Sequence, residues 1–157
     1  MNRITELKTP ADMLRKAKAE FEIMKENTDA YTVFNFFVTA LHIKDYVAVY
    51  LKIEDDDYKS FSESIRKFSL NEEWDIIDSI GNKGKHFALR KRKKNVEILT
   101  KPKLLDGSWK LDGSMKLDGI QWNISVDETR TYDLIEVSEQ IISFWERYFK
   151  EKNIPLQ

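Results

Sequence analysis

The chain has 157 residues, 41% hydrophobic and 34% charged, and its 26 basic and 27 acidic side chains leave a net charge of −1. That length suits one domain that buries about two-thirds of the surface its unfolded form exposes. Nine Phe, six Tyr and four Trp exclude an intrinsically disordered chain, and the absence of cysteine excludes both a disulfide framework and a thiolate metal site.

The opening MNRITELKTP lacks the apolar run of a secretory signal, so the expectation is a cytoplasmic protein. Thr9, Pro10 and Asp12 form an N-cap, a first-turn proline and an early acid, in the order that starts a helix. Met13, Ala17, Phe21 and Met24 then recur at helical spacing, with Arg15, Lys16, Lys18, Glu20 and Glu22 between them. Asn27 to Asp29 supplies a stop and a new cap, which predicts a helical hairpin.

The stretch from Tyr31 to Tyr50 is the most apolar in the chain and is expected to be its central helix. Phe34, Phe37, Leu41 and Tyr46 line one stripe and Phe36, Val38, Ile43 and Val47 lie elsewhere, so the helix reads as buried on all sides. Asn35, His42 and Asp45 share one face, with Thr39 beside them, as a polar stripe. The run is too interrupted by polar residues to span a membrane.

After the acidic run Glu54 to Asp57, the repeat of Tyr58, Phe61, Ile65 and Phe68 predicts a third, short helix. Asn71 is expected to cap a fourth, whose first turn carries Glu72, Glu73 and Asp75 and whose buried face is Trp74, Ile77 and Ile80. Gly81 and Gly84 weaken its end. From His86 the period changes: Phe87 and Leu89, a KRKKN turn, then Val96 and Ile98 read as a hairpin. LDGSWK from Leu105, LDGSMK from Leu111 and LDGIQW from Leu117 are an internal six-residue repeat whose Asp-Gly pairs suit tight turns in a meander. Ile120, Trp122 and Ile124 continue as a strand. Leu134, Val137, Ile141, Phe144, Tyr148 and Phe149 mark the last helix, ended by Asn153 and Pro155.

The predicted fold is mainly α. It is a single domain with four helices over 9–86, a small antiparallel β hairpin or meander over 87–126 that includes the repeat, and a closing helix over 131–152. No acid interrupts the chain between Ser79 and Val96. The cations there, Lys83, Lys85, Arg90, Lys91, Arg92, Lys93 and Lys94, have the density of a phosphate-binding surface, or of a solvated hairpin tip.

The segments Asn35 to Tyr46 and Asn82 to Phe87 resemble stretches of uncharacterised bacterial and phage HEPN-like proteins, and Ser143 to Phe149 is similar to their closing helix. The LDGS repeats lie outside the resemblance. It implies a helical bundle that often dimerises and, in active members, a metal-independent RNase built on an Arg followed a few residues later by His. His86 looks like that histidine. The arginine positions hold Ser79, Ile80 and Gly81, and the nearest polar groups are Asn82 and Lys85.

His42 and His86 are the only histidines and the natural acid and base for such chemistry, with Lys85 as the cation for phosphate. His42 also reads as a buried histidine held by Asp45 one turn away, and His86 as a histidine favoured at a helix C-terminus. His42, Asp45 and His86 contain ligand atoms for zinc or manganese, but His-x-x-Asp is a weak pattern, and no metal or cofactor is expected. The repeat aspartates fit no calcium loop. Two functions follow: an RNA-directed HEPN-like module with its polar site at Asn82 to His86, or a non-enzymatic homodimer that docks a protein partner through the β segment.

Overall fold

The computed structural model describes residues 7–83, 96–102 and 120–157. Among them are five α-helices and a three-stranded antiparallel sheet placed before the last helix: α1 (Pro10–Glu26), α2 (Ala30–Tyr50), α3 (Tyr58–Phe68), α4 (Glu73–Lys83), β1 (Val96–Pro102), β2 (Ile120–Val126), β3 (Arg130–Asp133) and α5 (Leu134–Glu151). The first strand and KRKKN turn of the predicted hairpin, Phe87 to Asn95, and the repeat from Leu105 to Gly119 lie outside the described residues.

Helix α1 starts as its sequence dictates. The Thr9 hydroxyl accepts the Asp12 N–H at 3.1 Å and the Asp12 carboxylate accepts the Thr9 N–H at 2.8 Å, a reciprocal capping box that satisfies donors the first turn leaves unpaired. Asp29 and Thr32 repeat the arrangement at the start of α2. Met13, Ala17, Phe21 and Met24 are all buried, so the periodicity read from α1 defines its inner face.

The cap expected at Asn71 is supplied by other groups. The Ser69 hydroxyl accepts the Trp74 N–H at 3.2 Å and the Glu73 carboxylate accepts the Asn71 N–H at 2.7 Å. Glu72, at φ 66°, turns the chain into α4 through the left-handed region. This turn also holds the sheet. Glu72 accepts the Tyr132 hydroxyl at 3.1 Å and faces the Arg130 guanidinium at 2.8 Å, so α4 begins against β3.

In the sheet β2 is central, pairing Val96 with Val126 on one side and Val126 with Arg130 on the other. Residues 131–133, expected to open the last helix, belong instead with Arg130 to the edge strand β3, which pairs with β2 over its whole length, and the helix begins at Leu134. Asp133 then caps α5 by accepting the N–H groups of Ile135 and Glu136. The core is aromatic around α5: Trp145 meets Trp74 edge-on at 6.1 Å, and Phe68 meets Tyr148 at 5.2 Å, geometries that suit the ring quadrupoles.

Helix α2 is not buried on all sides. Val33, Phe36, Phe37, Ala40, Ile43 and Val47 are buried, but Tyr31 and Val49 are 80% and 79% exposed, and Phe34 and Tyr50 are 41% and 45% exposed. The helix packs between α1 and α4, with α3 at its C-terminal half. These neighbours cover only part of a cylinder. Among the described residues, no helix is long and apolar enough to cross a membrane.

Candidate functional site

The residues expected to form a polar stripe within the core lie on the outer face of α2. Asn35 and Asp45 are exposed and His42 is half-buried. The reason is the same incomplete packing: a polar row on a helix surrounded on three sides turns to the fourth, where water solvates it. Thr39 alone is buried. Its hydroxyl accepts the Lys16 ammonium of α1 at 2.6 Å, so it ties the helical hairpin together and stands apart from the row.

Asp45 is engaged by a residue that the sequence gives no reason to pair with it. The Tyr58 hydroxyl, from the first turn of α3, donates to the Asp45 carboxylate. Burial, and then that carboxylate, push the Tyr58 phenol above its ordinary range, so it stays protonated as a donor. Lys44 lies over the Tyr58 ring at 4.9 Å and over the Trp74 ring at 5.5 Å, attracted by their negative faces. Asp45 is therefore part of the joint between α2, α3 and α4.

Asn82 closes α4. Its amide donates to the Asp78 carbonyl at 2.8 Å and to the Asp78 carboxylate at 2.9 Å, one turn earlier on the same helix. Next to it, Gly81 brings α4 onto α2 so closely that a β-carbon there would lie 2.9 Å from both Leu41 Cβ and the Phe37 carbonyl oxygen. The fold thus delivers the end of α4 to the level of Leu41 and His42. His86, Lys85, Arg90, Lys91, Arg92, Lys93 and Lys94 lie outside the described residues, as does the side chain of Lys83. Among the expected catalytic groups that are described, Asn82 and Asp45 serve structural bonds. Among the described residues no group of three or more His, Asp or Glu side chains is placed to hold a metal ion.

Sequence reasoning missed a second buried polar centre. Glu73 is only 3% exposed, yet its carboxylate accepts Ser69 and Asn71 and faces the Arg147 guanidinium of α5 at 3.8 Å. Arg147 also stacks over Phe68 at 5.2 Å. A first-turn acid was legible as a complement to the helix dipole; its burial depends on α5, far along the chain.

What the outer face of α2 presents is a row. Tyr31, Phe34, Asn35, Val38, His42, Asp45 and Val49 follow the i, i+3, i+4, i+7 spacing of one helical face. Tyr31 and Phe34, at ~200 Å² each, expose ~240 Å² there before Val38 and Val49 are added. At the C-terminal end of the row, a hollow of about 390 Å³ opens between α1 and α2, lined by Lys8, Thr9, Pro10, Asp45, Tyr46, Val49 and Tyr50. Searched against protein-family models, curated proteins and solved structures, the chain matches none.

Proposed function

We propose that the chain is a homodimeric, non-enzymatic interaction module that associates through the outer face of α2. One observation carries the reading: a helix central to the fold leaves Tyr31 and Val49 about four-fifths exposed, with Phe34 and Tyr50 beside them. The largest exposed apolar patch of a soluble protein, typically a few hundred Å², is often functional, and leaving it in water costs free energy that a partner recovers. Among the described residues β1 and β3 are the outer strands of the sheet, and a protein partner docking on the β segment would do so by strand addition.

The test is sedimentation equilibrium of the wild type and of Val49→Asp. The expected outcome is a dimer that dissociates on dilution and a variant that stays monomeric with unchanged circular dichroism. A wild type that is monomeric over the whole concentration range refutes the reading.

A second reading is supported by charge. The seven cations from Lys83 to Lys94, with no acid among them, suit a phosphate backbone and leave RNA binding as the complementary activity, in line with the HEPN resemblance.

A further inference from the structure

The exposed row on α2 is self-complementary about one level of the helix. Tyr31 and Val49 stand equally far from Ala40, as do Asn35 and Asp45, and Val38 and His42. Each pair joins groups that suit one another: ring on aliphatic, amide donor on carboxylate, aliphatic on imidazole. A two-fold interface places the same patch of each subunit against itself, so that residue i meets j and j meets i. The geometry points to a second copy of this chain, with its α2 lying antiparallel on the first and the two-fold axis passing at the level of Ala40. This rests on the proposed self-association and specifies its register.

The ends of the row carry the strongest argument. In that register the partner's Tyr31, the most exposed large side chain of the row, comes to the level of Val49, where the hollow lined by Pro10, Tyr46, Val49 and Tyr50 opens. A protruding ring thus meets an apolar recess at both ends of a seam ~27 Å long, at 1.5 Å per residue. Lys8 and Asp45 at the rim of the recess are within the class of groups that a tyrosine hydroxyl can bond. Toward the middle, the Asn35 amide of each copy meets Asp45 of the other. The Asp45 carboxylate holds Tyr58 on one side, and a carboxylate has acceptor sites for more than one donor. A parallel arrangement would instead set Asp45 against Asp45 and leave both recesses unfilled.

The absence of cysteine makes the register directly measurable. Tyr31→Cys and Val49→Cys alter exposed positions and leave the core untouched. Under mild oxidation each variant alone is expected to stay uncrosslinked, because its two thiols lie ~27 Å apart, whereas a mixture of the two forms a disulfide-linked dimer, since a disulfide needs Cα atoms within about 7 Å. Crosslinking of each variant with itself overturns the antiparallel register. So does a mixture that fails to crosslink while sedimentation shows a dimer, an outcome that leaves self-association standing. A monomeric protein removes both. A second pair of variants reads the polar contact: Asn35→Asp sets two carboxylates together and weakens association at least ~tenfold, and Asp45→Asn added to it restores an amide-carboxylate pair and recovers the affinity. Equal weakening in the single and double variants overturns the Asn35–Asp45 contact.

Discussion

Gly81→Ala sets two effects of opposite sign against each other. In a helix interior Ala is favoured over Gly by ~1 kcal/mol, and Gly81 lies within α4 with helical residues on both sides. Judged by propensity alone the substitution stabilises. The packing says otherwise, because the added methyl would sit 2.9 Å from the Phe37 carbonyl oxygen and 2.9 Å from Leu41 Cβ. Neither atom is the free end of a side chain: one is backbone and the other is fixed to it. Relief requires α4 to move off α2, and overpacking of this kind costs ~1–3 kcal/mol. With two rigid contacts the upper half of that range applies, and after the propensity gain the net loss is ~1–2 kcal/mol. For a chain of this size that lowers the melting temperature by ~2–8 °C. Urea unfolding followed by circular dichroism measures it as a lower midpoint at unchanged slope. A midpoint that rises refutes the close helix contact and with it the placement of the α4 end beside Leu41.

Other predictions concern charge. Asp12 accepts the N–H of Lys8, then the hydroxyl and N–H of Thr9, with Arg15 nearby, and its carboxyl is lowered to about 2 from 3.8. A carboxyl depressed in the folded state contributes stability above the unfolded value that is lost as pH falls through the folded one. Asp12→Asn should therefore be less stable than wild type at neutral pH, and its urea midpoint should fall less steeply between pH 3.8 and about 2; parallel acid limbs would remove the capping box from the account. Removing the carboxylate beside Tyr58 by Asp45→Asn should bring the phenol back toward its ordinary range, measured as tyrosinate absorbance that develops at lower pH than in wild type. Identical titrations would break the Tyr58–Asp45 bond. For the RNA reading, Arg90→Gln with Arg92→Gln should reduce the slope of log affinity against log salt by ~1.4, at ~0.7 per phosphate contact on a single strand; an unchanged slope removes those two side chains from any RNA surface. Cleavage of mixed RNA in chelator, lost in His86→Ala, would add metal-independent nuclease activity, and equal traces from the two proteins would exclude His86 as its catalyst.

How much of this was legible in the sequence depended on how local its cause was. Helix α1 follows from Thr9, Pro10 and Asp12 and from an apolar period that needs no knowledge of the rest of the chain. The same holds for α3, where Phe61 and Ile65 are the buried residues, and for the inner face of α5. Strand β3 was not legible: Arg-Thr-Tyr-Asp is short and polar, and it becomes a strand because Val126 and Ile124 of β2 offer it a pairing edge. The burial of Glu73 was hidden for the same reason, since Arg147 reaches it from α5, more than seventy positions away. The candidate site was partly legible. Asn35, His42 and Asp45 do share one face of α2, but which way that face points is decided by α1, α3 and α4.

The orientation of α2 also resolves the conflict between its composition and its exposure. A helix that is apolar around most of its circumference needs neighbours on every side, and within one chain α1, α3 and α4 cover only part of it. Phe36, Phe37, Ile43 and Val47 face those neighbours and are buried, whereas Tyr31, Phe34, Val49 and Tyr50 are exposed. The polar groups interspersed among them lie where a solvated monomer can keep them hydrated and where an antiparallel copy would meet each with a complementary group. A purely solvent-facing helix side would substitute Lys and Glu at these positions, as α1 does at Lys18 and Glu22, and a purely internal one would have no Asn35 or Asp45. The row that α2 carries is intermediate between them, which is the composition that the proposed antiparallel interface requires.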